Sequence, residues 1–207
     1  MTGDAAAKGR AFKAQVEQKI QALLEEFANG KLSREQFQAI YERYNSQLLL
    51  AEQALRSTNP DVVIGMAQGG PPTVAMKEAY MGKALGMMIY NNQNGMLIET
   101  LGEVNVAADK IAPILNDFSH MMQANRRVER VAKKIGTREW LLFVAGNYTT
   151  VVCLFHNEPS PEQCREIERL HHDFELANRW FLRKAETDKS KLAYPFMTFV
   201  QKKLKKA

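Results

Sequence analysis

The chain lacks most of what catalysis, secretion or a membrane would require. Its 207 residues hold two cysteines, Cys153 and Cys164, enough for one bridge at most. That excludes a disulfide-stapled scaffold. No run approaches the roughly 18 apolar residues of a membrane-spanning helix. The opening MTGDAAAKGRAFK has no apolar core of leader length, so no secretory leader is expected. These absences point to a reducing cytoplasm and two free thiols packed as small hydrophobes.

Phosphate-binding chemistry is missing too. Gly69-Gly70-Pro71-Pro72 is not followed by Lys and Ser/Thr, and its prolines offer no N–H donors. The adjacent His171 and His172 fall on a predicted helix and point apart, unlike ligands four residues apart. His120 and His156 have no thiolate or carboxylate at ligand spacing, and Cys153 and His156 fall on opposite faces of a strand. Cys164 follows a predicted helix start but sits in an apolar stripe, the setting of a packed thiol rather than a reactive one. Glu25-Glu26 and Glu166/Glu168 read as solvated helix faces. No acid is set against a base. The expectation is a protein that is not an enzyme, with no catalytic residue, metal or cofactor.

What is present is an ordinary globular composition, 45% hydrophobic and 25% charged, which argues against wholesale disorder. The charge is unevenly placed. Residues 183–207 carry eight Lys or Arg against Glu186 and Asp188, a net +6 where the whole chain has +5. The basic character therefore belongs to a tail and not to the fold.

Four regions follow from the pattern: a helical hairpin at 11–56, a linker at 57–72, a main domain at 73–185 and a basic tail at 186–207. In the first, Phe12, Val16, Ile20, Leu23, Leu24 and Phe27 recur at helical spacing up to Asn29-Gly30. Ser33 and Gln36 then form a capping box, with Leu32 and Phe37 as its staple. Phe37, Ile40, Tyr41, Tyr44, Leu48 and Leu55 continue the second helix, which must fold back on the first. The linker, with Asn59-Pro60, Gly69-Gly70 and Pro71-Pro72, leaves room for a short extended piece at Val62–Ile64.

The main domain predicts a helix over Thr73–Leu85 ended by Gly86. A β-hairpin around Asn94-Gly95 follows. A long helix comes next, with Ile111, Ile114, Leu115, Phe118, Met121, Met122, Val128, Val131 and Ile135 on its apolar side. A second hairpin, Glu139–Ala145 and Thr149–Phe155, turns at Gly146-Asn147, and its continuous apolar runs mark covered central strands. The last helix opens on Ser160-Pro161-Glu162-Gln163 and buries Cys164, Ile167, Leu170, Phe174, Ala177 and Phe181. The fold class is α+β: an antiparallel sheet built from two hairpins with a long helix between them, helices packed on the sheet, and an antiparallel helical hairpin in front.

Two resemblances follow. Glu26–Phe37, EFANGKLSREQF, resembles short helical hairpins at the ends of bacterial proteins that are thought to mediate assembly. Residues 73–183, by Met87–Thr100, Ile111–Ile135 and Trp140–Phe155, resemble the Roadblock/dynein-light-chain family within the profilin-like and longin-like group. That family usually has three strands after its long helix, and the sequence offers two; a third would come from Phe196–Val200 or be absent. The resemblance implies pairing through the long helix and a sheet edge, and pairs that serve as platforms for small Ras-like GTPases.

The reading is thus a protein-interaction or assembly protein, a homodimer or larger, whose partner is another protein such as a small GTPase. The candidate contact residues are Phe37, Tyr41 and Tyr44 on the hairpin, and Phe118, Met121, Met122 and Arg126 on the long helix. Lys202, Lys203, Lys205 and Lys206 in the tail complete the set. Met76, Met81, Met87, Met88 and Met96 join Met121 and Met122 as core filling or an adaptable surface. A small-molecule sensor of the same layered fold is the alternative, opposed by strands with almost no inward polar residues. Binding of nucleic acid or an anionic surface through the tail is weaker still, and nucleic acid is not the expected partner.

Overall fold

The computed structural model describes residues 2–56, 62, 65, 67, 69–184 and 188–196. They divide into two compact units, residues 1–81 and 82–207.

The first unit is helical. α1 spans Thr2–Ala28, α2 spans Arg34–Arg56 and a short α3 spans Thr73–Ala79. Gly30 at φ 73° ends α1, and the Lys31 N–H reaches back to the Glu26 carbonyl at 3.0 Å. The capping box forms as expected: Gln36 N–H donates to Ser33 Oγ at 3.2 Å, and Ser33 N–H donates to Gln36 Oε1 at 3.0 Å. Phe12, Val16, Leu23, Leu32, Ile40, Tyr44 and Ala51 close the hairpin core. Val62, expected to be extended, is helical, while Val63 and Ile64 lie outside the described residues. The predicted helix over Thr73–Leu85 stops at Ala79, and Lys83–Leu85 belong to a strand.

The second unit runs β1 (Lys83–Asn91), β2 (Leu97–Gly102), α4 (Ala108–Gln123), β3 (Val131–Lys134), β4 (Glu139–Ala145), β5 (Thr149–His156) and α5 (Pro161–Leu182). A short 3-10 turn at Lys189–Lys191 follows. The sheet order is β2-β1-β5-β4-β3, every pairing antiparallel. Both expected hairpins form, with Gly95 at φ 69° in the first turn. Gly86 does not end a helix. It sits inside β1 beside a bulge, where a Cβ would come within 2.8 Å of the Leu101 carbonyl oxygen.

Alternation along the strands divides the core between two faces. Met87, Ile89, Trp140, Leu142, Val144, Val151, Cys153 and Phe155 pack with α5. Met88, Leu141, Phe143, Val152 and Leu154 pack with Ile111, Ile114 and Phe118 of α4. The result is an α+β layered domain. Met87 and Met88 fill its core, while Met96 and Met81 are exposed. Cys153 and Cys164 are free and buried.

The long helix predicted over Ile111–Ile135 ends at Gln123. Asn125 takes a left-handed φ of 50°, and the Arg126 N–H closes back on the Met121 carbonyl at 2.9 Å. Asparagine tolerates that conformation, so it serves here as glycine would. The chain beyond it forms β3, which pairs Val131 with Phe143 and Lys134 with Trp140. Three strands therefore follow α4, and the third comes from within the predicted helix.

The region after α5 also differs from a solvated tail. Leu192 and Phe196 are buried in the α5 face of the core, and Phe174 lies against Tyr194 and Phe196 at centroid distances of 5.8 and 5.5 Å. Phe196 is not in a strand. Residues 197–207, with the four tail lysines, lie outside the described residues.

Among the described residues β2 and β3 are the two edges of the sheet. No helix there is long and apolar enough to cross a membrane.

Candidate functional site

The predicted contact residues scatter. Phe37 is stacked between Phe27 and Tyr41, at 4.4 and 5.2 Å. Tyr44 is buried, and its hydroxyl shares a 2.8 Å hydrogen bond with Thr73 Oγ1. Phe118 is buried edge-on against Phe143 at 6.3 Å. These side chains are occupied inside their own units. Met121 is half-buried near the end of α4. Met122 and Arg126 come together with residues the sequence reading had set aside, along one open cleft of about 400 Å³.

Its deep wall is made by α5. The helix buries a polar row, His171, Glu175 and Asn178, each no more than 4% exposed. The predicted stripe is rotated to place them there: Asn178 and Leu182 are buried, whereas Ala177 is exposed and Phe181 half-buried. The four-residue step from Ile167 to His171 was the available signal, since it puts the ring on the buried side. His171, dismissed as a metal ligand because it adjoins His172, is only 2% exposed.

Glu175 closes the β4–β5 turn. Its Oε2 accepts from the Asn147 N–H at 2.8 Å, and its Oε1 accepts from the N–H groups of Tyr148 and Thr149, both at 2.8 Å. The Thr149 hydroxyl donates to the same Oε1 at 2.9 Å. A buried carboxylate needs such a set of donors to offset its lost hydration. The turn has been shaped to bring them: a Cβ on Gly146 would stand 2.5 Å from Oε1. Asn92 binds the same turn from the first hairpin. Its amide donates to the Gly146 carbonyl at 3.0 Å and accepts from the Thr150 hydroxyl at 2.7 Å.

Thr149 Oγ1 lies 2.8 Å from His171 Nε2. The hydroxyl has one proton and gives it to Glu175, so toward His171 it can only accept. A neutral His171 therefore carries its hydrogen on Nε2 and leaves Nδ1 bare. Burial holds the His171 pKa down to about 4, opposed by Glu175 and aided by His172. The order Glu175–Thr149–His171 is therefore not a nucleophile activated by a base. Thr149 is fully buried, and its proton is already committed.

Arg126, Arg130 and His172 bring positive or protonatable groups to the rim, and Met122, Val128 and Val144 bring apolar surface. Arg130 holds Glu168 through both carboxylate oxygens at 2.9 Å. Among the described residues, no three His, Cys, Asp or Glu side chains gather as metal ligands.

A second surface lies farther along α5. Leu176 is 58% exposed and Trp180, one turn on, is 72% exposed. The Arg183 Nε donates to the Tyr148 hydroxyl at 3.3 Å, and Arg183 with Arg179 holds that phenol below its ordinary pKa. Leu176 and Trp180 fall outside the apolar stripe that periodicity predicts for this helix, so the sequence alone does not single them out. No protein-family model matches the chain, and no curated protein is similar to it.

Proposed function

We propose that the chain is a non-catalytic assembly protein that associates with itself and docks a second protein. The observation that carries this reading is the exposed Leu176–Trp180 stripe on α5. Tryptophan buries a large area when covered and is enriched among residues that dominate interface energies. The stripe sits on a helix held to its sheet by Ile167, Phe174 and Leu182, so docking on it requires little reordering. The partner class, a small Ras-like GTPase, rests on the Roadblock-like order of elements. That likeness is supported by the three strands after α4, the number the family usually has.

Size exclusion with light scattering tests self-association. A dimer or larger species at micromolar concentration is expected, and Trp180→Asp should shift it toward the monomer. A clean monomer for the unaltered chain at that concentration sinks self-association. Capture from the native source followed by mass spectrometry tests the partner class: a small GTPase should be enriched, and less so with Trp180→Asp.

A further inference from the structure

The cleft beside α5 contains polar groups that the protein itself uses and others that it leaves over. Glu175 is satisfied by three backbone N–H groups and the Thr149 hydroxyl. Arg130 and Glu168 neutralise each other. What remains is a cation, an acceptor and a second imidazole. Arg126 has no ion pair among the described residues and stands on the rim. His172 is exposed and lines the same cleft. His171 lines the deep wall, with Nε2 committed to Thr149 and no hydrogen bond at Nδ1 among the described residues.

We propose that this cleft binds a small organic anion. Its carboxylate or phosphate rests on Arg126 and His172, an N–H or O–H of the same molecule donates to His171 Nδ1, and its apolar body lies on Met122 and Val128. Three features select this class. A guanidinium with no internal anion favours a planar oxyanion that it can hold through two N–H groups. A lone-pair nitrogen on a ring that is only 2% exposed admits a small donor and not a bulky segment. A volume of about 400 Å³, mostly polar in its lining but with Met122 and Val128 as an apolar patch, lies within the range of small-ligand sites and exceeds what a bare inorganic anion fills. Thr149 and Glu175 are positioning residues: they hold His171 in the tautomer whose free nitrogen accepts.

The inference is independent of self-association and is tested on the full chain. Side-chain nitrogen NMR of the histidine rings reads tautomer and contact together. The probes are indole-3-acetate, which has the anion, the apolar body and the N–H; phenylacetate, which lacks the donor; and inorganic phosphate, which lacks the body. Indole-3-acetate should give saturable shifts at His171 and His172, and bind about tenfold more tightly than either other probe, the effect of one good hydrogen bond or apolar contact. Arg126→Ala, whose backbone bond to Met121 is retained, should weaken binding about tenfold or more. Thr149→Val should weaken only the donor-bearing probe, because it frees the tautomer. Three results overturn the proposal: no saturable shift with any probe up to roughly 10 mM, phosphate binding as tightly as indole-3-acetate, or unchanged binding in Arg126→Ala.

Discussion

Asn178 and Ala193 hold each other through both of their amide edges. The Asn178 side-chain N–H donates to the Ala193 carbonyl at 2.7 Å, and the Ala193 N–H donates to Asn178 Oδ1 at 2.7 Å. Asn178 also donates to the Phe174 carbonyl one turn back at 2.8 Å. A side chain thus plays the part of a neighbouring strand for a segment that is not in the sheet.

Breaking that pair should loosen the segment without unfolding the domain. Asn178→Ala is expected to cost about 2–3 kcal/mol, from the loss of its two bonds to Ala193 and its bond to the Phe174 carbonyl. Phe196→Ala should cost about 3–5 kcal/mol, because its ring is fully buried against Phe174. Urea titration gives both values. Hydrogen exchange at the Ala193 amide separates them, since Asn178→Ala should abolish its protection directly.

His171 should make stability depend on mildly acidic pH. Its pKa falls from 6.5 in the unfolded chain to about 4 when buried. Between those values the unfolded chain takes up a proton that the folded chain refuses. Stability is therefore fully present above pH 6.5 and falls as the pH drops toward 4, by at most about 3 kcal/mol. Comparing urea midpoints at pH 7 and pH 5 checks it, and His171→Gln should flatten that dependence. A chain whose stability rises on acidification over this range would contradict the neutral tautomer.

The β4–β5 turn should depend on the Glu175 carboxylate. Glu175→Gln turns one acceptor into a donor facing the Asn147 N–H and should cost about 2 kcal/mol. Glu175→Ala strands four donors and should cost about 3–5 kcal/mol. Gly146→Ala would reach the same end from the other side, since its Cβ would displace Oε1 from the amides; about 2–3 kcal/mol is expected. The Gly146 variant should cost nearly nothing further in a Glu175→Ala background, which a double-mutant cycle measures.

The two tryptophans should report separately. Trp140 is 7% exposed and Trp180 is 72% exposed. Acrylamide should quench Trp180 readily and Trp140 poorly, so Trp180→Phe should leave a blue-shifted, protected emission. If α5 is the self-association face, quenching of the unaltered chain should weaken as concentration rises. Quenching that is constant across the dimerisation range would place the contact elsewhere.

Much of the fold could be read from local signals. Ser33 with Gln36 and Ser160 with Gln163 set helix starts that the structure keeps, because capping is decided within four residues. Asn94-Gly95 and Gly146-Asn147 mark turns for the same reason. The end of α4 was misread because Val128, Val131 and Ile135 extend a helical period past Asn125. Only pairing with Phe143 and Trp140, distant in sequence, makes Val131–Lys134 a strand. The cleft was hidden more deeply. Its tautomer depends on Thr149 and Glu175, 26 residues apart, meeting across a turn and a helix. Periodicity could have placed His171 on the buried side, but not beside a committed hydroxyl.

The two sheet edges are unequal, and this limits how copies could join. β3 is four residues long and ends in Lys133-Lys134, while β2 runs for six with Leu97 exposed. Short, lysine-bearing edges resist the addition of another strand. A chain with one receptive edge can extend its sheet through a single two-fold contact, after which no receptive edge is left. Sheet-to-sheet joining would then stop at two copies, closed rather than open-ended, and the fold is guarded against growing into a fibre.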